Sequence, residues 1–196
     1  MNNERLSYTE KWADKLLNSI DIRQSLRDLE HEAEDGNPEL YFLLGCTYQT
    51  GEAGNRIDYE LAYEYHKKGY IRGNDIVSGY ELARIYFYGF GDHPVDYSKA
   101  YSIASKLAYE HNFYRAYFML AYLIENGLGT DPNTAKAMKY YRDAYMNGCI
   151  PALGHLGRLQ QYNGQFFIGL FNRIKAFFIG FPCILFKRDD TRISYI

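Results

Sequence analysis

The chain has 196 residues, with 22 Lys and Arg against 24 Asp and Glu and a formal net charge of −2. That length supports one domain with a sizeable core, and that charge lacks the basic footprint of a duplex-binding protein, so nucleic acid is not an expected partner. Three cysteines at wide spacing (Cys46, Cys149, Cys183) argue against a disulfide framework. No apolar leader opens the sequence and no run of 18 uninterrupted apolar residues occurs, so a reducing, cytoplasmic setting without a spanning helix is expected.

In chain order, Trp12, Leu16, Leu17 and Ile20 predict a helix over 8–20. Leu26, Leu29 and Ala33 predict a second over 22–35, stopped by Gly36. Its acidic run, Glu30, Glu32, Glu34 and Asp35, reads as a solvated helix end. From residue 37 a unit repeats. Gly51, Gly89 and Gly127 recur at a spacing of 38, and six residues before each stands the small member of a Leu-small pair, Leu44-Gly45, Leu82-Ala83 and Leu120-Ala121. Tyr48, Tyr86 and Ile124 hold the position three residues before the glycines. Leu61-Ala62, Lys99-Ala100 and Lys136-Ala137 then open a second apolar-periodic run in each copy, which ends near Gly73, His111 and Gly148. A fourth pair, Leu156-Gly157, follows 36 residues after the third.

This pattern is a helix–turn–helix unit copied about four times, with full copies over 37–73, 74–111 and 112–148 and a fourth opening at Pro151-Ala152. Leu40, Leu44 and Tyr48 step by four along one helical face. The small residue beside each Leu lets a neighbouring helix approach. The paired glycines, such as Gly89 with Gly91 and Gly127 with Gly129, fit a helix C-terminus and the turn beyond it. Asp58, Asp96 and Asp131-Pro132 precede the second helices, where helix N-termini favour Asp and Pro.

The same repetition settles what Gly89-Phe90-Gly91 is for. A phosphate-cradling loop needs a preceding strand and a full glycine fingerprint; a turn that recurs in the chain is a connector. None of His31, His66, His93, His111 or His155 pairs at metal-ligand spacing, and there is no nucleophile elbow or Cys-x-x-Cys. No catalytic residue, metal or cofactor is therefore expected, and the chain reads as non-enzymatic.

The motif resembles the Sel-1-like repeat family, relatives of the tetratricopeptide repeats. The third copy carries it most fully: Ala116, Leu120-Ala121, Ile124, Gly127-Leu128-Gly129, Lys136-Ala137, Tyr140-Tyr141, Ala144 and Gly148. Ala replaces Gly in two of the Leu-Gly pairs, and the first copy has Gly-Glu-Ala-Gly for Gly-x-Gly. The resemblance covers about residues 36–164 and implies an all-α, right-handed solenoid of stacked helix pairs whose first helices line a concave face that binds proteins or peptides. In phase on that face stand Phe42, Tyr80 and Phe118; Cys46, Arg84 and Tyr122; Gln49, Phe87 and Glu125. Tyr, Phe and Arg are hot-spot residue types, although aromatics in such stacks also pack between repeats. The implied function is an adaptor or scaffold for a partner protein, with an envelope-biogenesis or secretion component as an example of a client. The alternative is an inhibitor or immunity protein that blocks a toxin or enzyme.

Residues 1–36 read as N-terminal helices with a degenerate leading repeat, 37–164 as the repeats, and 165–196 as a tail of different style. On a helix, Phe166, Phe167, Leu170, Phe171, Ile174, Phe177, Phe178 and Phe181 fall within an arc of roughly 140°. Gln165, Gly169, Asn172, Arg173, Lys175, Ala176 and Gly180 lie opposite, with Ile168 and Ile179 among them, and Pro182 is expected to end the helix. Three readings stay open. Lys175-Ala176 falls 39 residues after Lys136-Ala137, as a second helix capping the solenoid would. The Phe-rich face beside Arg173, Lys175, Lys187 and Arg188 suits a helix lying in a membrane interface, on the inner face of the membrane. The same face suits docking in a partner's groove or self-association.

Overall fold

The structure, a computed structural model, describes the backbone of residues 2–51 and 56–186 and the side chains of 9–51 and 56–180. Among the described residues there are ten helices and no strand: α1 Asn2–Leu17, α2 Ile22–Glu34, α3 Leu40–Thr50, α4 Tyr59–Gly73, α5 Ile76–Tyr88, α6 Tyr97–His111, α7 Tyr114–Asn126, α8 Thr134–Met146, α9 Ile150–Tyr162 and α10 Phe166–Phe186. The fold class is all-α, of the helical-repeat solenoid type. The chain falls into two compact units, residues 1–95 and 96–196.

The helix starts follow from side-chain caps. Asp58 accepts from the Leu61 N–H at 3.0 Å and Asp96 from the Lys99 N–H at 3.0 Å, as their sequence positions predict. For α8 the cap is Asn133, two residues beyond the expected Asp131, accepting from the Lys136 N–H at 2.9 Å. The reason lies in the turn: the Asn133 N–H donates back to the Ile124 carbonyl at 3.1 Å, as the Asp58 N–H does to Tyr48 at 2.9 Å. That bond fixes which residue reaches the helix entrance, and in the third copy it is Asn133. Gly127 ends α7 with φ 66° and Gly129 follows with φ 69°. A side chain at Gly129 would overlap the Tyr97 backbone, so both conformation and space require glycine.

In the first unit, Trp12, Leu16, Leu26, Leu29, Leu40, Tyr41, Leu44 and Tyr65 form one buried cluster. Tyr65 stacks on Tyr41 at 6.3 Å and on Tyr48 at 5.6 Å, so these three tyrosines serve as core and its margin. The acidic run on α2 is not merely a solvated end. Glu30 accepts from the Tyr65 hydroxyl at 2.7 Å, and Glu34 accepts from Lys68 at 2.9 Å and Arg72 at 2.7 Å. Hydrogen bonding from Lys68, then from Tyr41, holds the Glu34 carboxyl down at about 2. These bonds tie α2 to α4, because the carboxylates project toward the basic end of the neighbouring helix.

In the second unit, α6 packs on α7, α7 on α8, α8 on α9 and α9 on α10. Leu107, Met119, Leu120, Leu123 and Tyr141 are fully buried there. The α10 helix does not stop at Pro182 but continues to Phe186. A proline inside a helix takes its own N–H out of the ladder and crowds the preceding turn, at a cost of about 3 kcal/mol or more, which the other hydrogen bonds of a 21-residue helix offset. The side chain of Phe181 and all of 187–196, with Lys187 and Arg188, lie outside the described residues, as does Gly54 of the first turn.

Candidate partner-binding surfaces

The first helices place the expected contact residues in two environments. Tyr80, Phe87 and Phe118 are buried, with 2%, 9% and 6% of their surfaces exposed, and fill space between helices. Phe42, Cys46, Gln49, Arg84, Tyr122 and Glu125 are half-buried and reach the surface. The charged and amide members of the phase, Gln49, Arg84 and Glu125, stay at the rim because burying a charge or an amide is costly; the aromatics divide, with Phe42 and Tyr122 at the rim and the other three covered.

In the first unit the rim residues surround His66 of α4. Its ring lies over Gly45, where an added Cβ would come within 2.5 to 2.8 Å of the imidazole. Phe42 tilts against it at 6.2 Å, and Nε2 stands 3.0 Å from the Gln49 Oε1. With that oxygen accepting, the ring carries its proton on Nε2, and the buried Nδ1 has no hydrogen-bond partner. Burial, and then the charge of Arg84, push His66 down to about 4, so it is neutral at pH 7. Arg84 donates through Nη1 to both carboxylate oxygens of Glu81, at 2.8 and 3.2 Å.

The second unit builds an equivalent cluster from α7, α8 and α9. Glu125 accepts from the buried Tyr141 hydroxyl at 2.8 Å and from Arg158 Nη2. Tyr141 has its phenol pushed upward by burial and then by the Glu125 charge. His155 stacks on Tyr141 at 5.1 Å and meets the Phe118 ring edge-on at 5.2 Å, and burial pushes its pKa down. Arg158, His155, His66 and Tyr141 were not among the contact residues expected from the sequence. Arg158 was within reach of it, since it stands 36 residues after Tyr122 and so in phase with Arg84.

The α10 helix presents a surface of another kind. Its small and polar side faces α9: Gly169 and Gly180 are buried, Asn172 donates to Gln160 at 2.7 Å, and Arg173 donates to Gln161 at 2.8 Å. Lys175 lies 5.4 Å over the Tyr145 ring. The other side looks outward. Phe166, Phe167, Leu170, Phe171, Ile174, Phe177 and Phe178 are all exposed, Phe167 at 83% and Phe178 at 68%, and Ile168 from the opposite side of the wheel is exposed as well. Such a contiguous apolar face exceeds what a monomer surface ordinarily leaves to water. Among the described residues no helix is long and apolar enough to cross a membrane.

The repeated hairpin, with its Leu-small pair, glycine turn and Asp or Asn cap, corresponds to a known family. The Sel1 repeat model matches residues 38–74, 80–112 and 115–149, more than half of the chain. The chain belongs to the Sel1-repeat family. Sel1 repeats in general mediate protein–protein interaction, and the proteins built from them are typically non-catalytic scaffolds. An uncharacterized Sel1-like repeat-containing protein of Schizosaccharomyces pombe is 38% identical over 73 residues, which is 37% of this chain and 10% of that protein. A Sel1 repeat protein from Oxalobacter formigenes superposes with a TM-score of 0.61 at 24% identity, covering 72% of this chain and 56% of the other. A protective antigen present in uropathogenic Escherichia coli strains superposes at 0.68 and 21% identity, covering 88% and 40%. At those identities the two crystal structures speak for the fold of this Sel1-repeat chain. It spans a tenth of the yeast relative and about half of the solved ones.

Proposed function

We propose that this Sel1-repeat chain is a non-catalytic adaptor that holds a partner protein on the exposed positions of its first helices and rests on an anionic membrane surface through α10. The observation that carries the reading is the outward apolar face of α10. A helix whose outer side faces water in such a stack carries polar residues there, whereas the described residues of α10 expose eight large apolar side chains, Ile168 among them. Charge supports a lipid surface as the occupant. From residue 148 through 188 the sequence has Arg158, Arg173, Lys175, Lys187 and Arg188 and no acid, in a chain whose net charge is −2. A basic, Phe-rich helix lying in the interface plane combines apolar burial with attraction to anionic headgroups.

The protein-binding half of the reading rests on Phe42, Arg84 and Tyr122 standing at the rims of the two clusters. An inhibitor would call for a patch of one sign facing its target. Arg84 and Arg158 are each paired with a glutamate, which disfavours that alternative.

Flotation of the full chain with phosphatidylglycerol vesicles tests the membrane half. Binding to these vesicles, weaker binding to phosphatidylcholine, and loss of both in a Phe167→Ser/Phe171→Ser/Phe178→Ser variant with an unchanged melt are expected. Equal flotation of that variant, or none by the parent chain, overturns it. For the protein half, a photo-cross-linking residue at Tyr122 should form a discrete adduct in cells, while one at the exposed Tyr109 of α6 should not.

A further inference from the structure

Opposite charges divide the two compact units. Residues 1–95 carry 10 Lys and Arg against 17 Asp and Glu, a net of −7, whereas residues 96–196 carry 12 against 7, a net of +5. An anionic surface therefore attracts the unit that holds α10 and repels the other. On α8 of the basic unit, Lys139, Arg142 and Met146 form an outer stripe, all three exposed, Met146 at 75%. We infer that this stripe is the headgroup-binding half of the membrane surface, with Lys139 and Arg142 taking the phosphates of anionic phospholipids while the aromatic face of α10 enters the acyl boundary beside them. The inference rests on the reading that α10 meets an anionic membrane.

The stripe runs on into the face of α10. Residues three and four apart are neighbours on a helix, which joins Lys139 to Arg142, and Arg142 to Tyr145 and Met146. The Lys175 ammonium of α10 lies 5.4 Å over the Tyr145 ring. Phe171 stands four residues before Lys175 and Phe178 three after it, and both are exposed. A path of adjacent side chains thus leads from the cations of α8 through Lys175 to the phenyl rings.

These cations lack internal partners of opposite sign. Lys68, Arg72 and Arg84 of the first unit each face a glutamate. Among the described residues Lys139 and Arg142 form no ion pair, and Arg173 and Lys175 meet the Gln161 amide and the Tyr145 ring. The acid of α8, Asp143, acts on the side of α7, where burial and then its charge raise the Tyr117 phenol. Like charges one turn apart disfavour a helix, and an external anion relieves that repulsion. The apolar neighbours select the source of the anion. A soluble acidic peptide or free phosphate would leave Met146, Phe171 and Phe178 in water, whereas a bilayer offers phosphates and acyl chains side by side.

The test is flotation of the full chain with vesicles of phosphatidylcholine alone and of equal parts phosphatidylcholine and phosphatidylglycerol. Lys139→Gln/Arg142→Gln, at exposed positions and to a good helix former, should weaken binding to the mixed vesicles by about tenfold or more. It should flatten the salt dependence of that binding and leave binding to phosphatidylcholine unchanged. The charge-keeping Lys139→Arg/Arg142→Lys should bind as the parent does. So should Arg23→Gln/Arg27→Gln, which removes the same charge from exposed positions of α2 in the acidic unit. Parent-like binding to mixed vesicles by the neutral α8 variant, or an equal loss in the α2 variant, overturns the inference while leaving α10 on the membrane. Loss of binding in the charge-keeping variant, or an equal loss on phosphatidylcholine in the neutral one, overturns it as well. No flotation by the parent chain overturns both the inference and the reading beneath it.

Discussion

The α3–α4 hairpin and the α9–α10 hairpin start alike, with a Leu-Gly pair on the first helix, and then use that glycine differently. In the first, Gly45 makes room for a side chain, the imidazole of His66. In the last, Gly157 makes room for backbone: an added Cβ would stand 2.6 Å from the Gly169 carbonyl oxygen and 2.8 Å from the Arg173 Cγ. The regular hairpin therefore packs its second helix by apolar and aromatic side chains. The terminal one packs by close approach of two helices through Gly157, Gly169 and Ala176, which sits 3.9 Å from a Cβ placed at Gly154. The same hairpin motif can point a helix's apolar side inward or outward, depending on which side is small enough to touch the neighbour.

The sharpest way to break this contrast is Gly157→Ala. Its methyl group meets backbone that cannot rotate away, so a loss of about 3 kcal/mol and release of α10 are expected, read by urea denaturation and far-UV circular dichroism. A variant as stable as the parent would mean that the helices are not in backbone contact.

Next is the acid sensitivity of the regular hairpin. The folded pKa of His66, about 4, lies below its ordinary 6.5. Its contribution is fully present above pH 6.5 and is lost as pH falls toward 4, because the unfolded chain then binds the proton that the folded one refuses. Between pH 7.5 and 5 the loss should be about 2 kcal/mol. His155 shifts in the same direction and adds to it. Melts across that range should show the slope, and His66→Leu should flatten most of it. An unaltered slope in that variant would place the titration elsewhere.

A smaller effect concerns entry into the second helix. The α4 helix begins on the Asp58 cap, so Asp58→Ala should cost about 1 kcal/mol while Asp58→Asn costs little. Calorimetry of the two variants separates a cap from a bystander.

The smallest is the control for the outward face. Phe171 is 64% exposed, and Phe171→Ser should change stability by no more than about 0.5 kcal/mol. A loss of several kcal/mol would mean that the ring is covered, and so that α10 closes the stack with its apolar side after all.

Much of this organisation was legible in residue order. Leu44, Leu82 and Leu120 mark the first helices because a buried stripe needs fixed spacing. Asp58 and Asp96 announce helix starts because their carboxylates satisfy N–H groups that nothing else can reach. The Asn133 cap was missed because its selection depends on a backbone bond to Ile124 that no propensity encodes. For Tyr80, Phe87 and Phe118 the sequence left burial between helices and display on the surface both open. A ring in phase with the surface faces outward only if the neighbouring helix leaves it uncovered, and here that helix does not.

The sequence by itself determined the repeat, the helix boundaries to within a few residues, and the two faces of the terminal helix, since all of these follow from local spacing and local hydrogen bonding. Only the tertiary structure decided which of those two faces meets α9. The turn between α9 and α10 spans only 163–165, against 127–133 in the copy before, so the last helix enters early. Ala176 accordingly packs beside Gly154, and Gly157 receives Gly169. Close approach at that crossing admits only glycine, and the aromatic side is left facing outward.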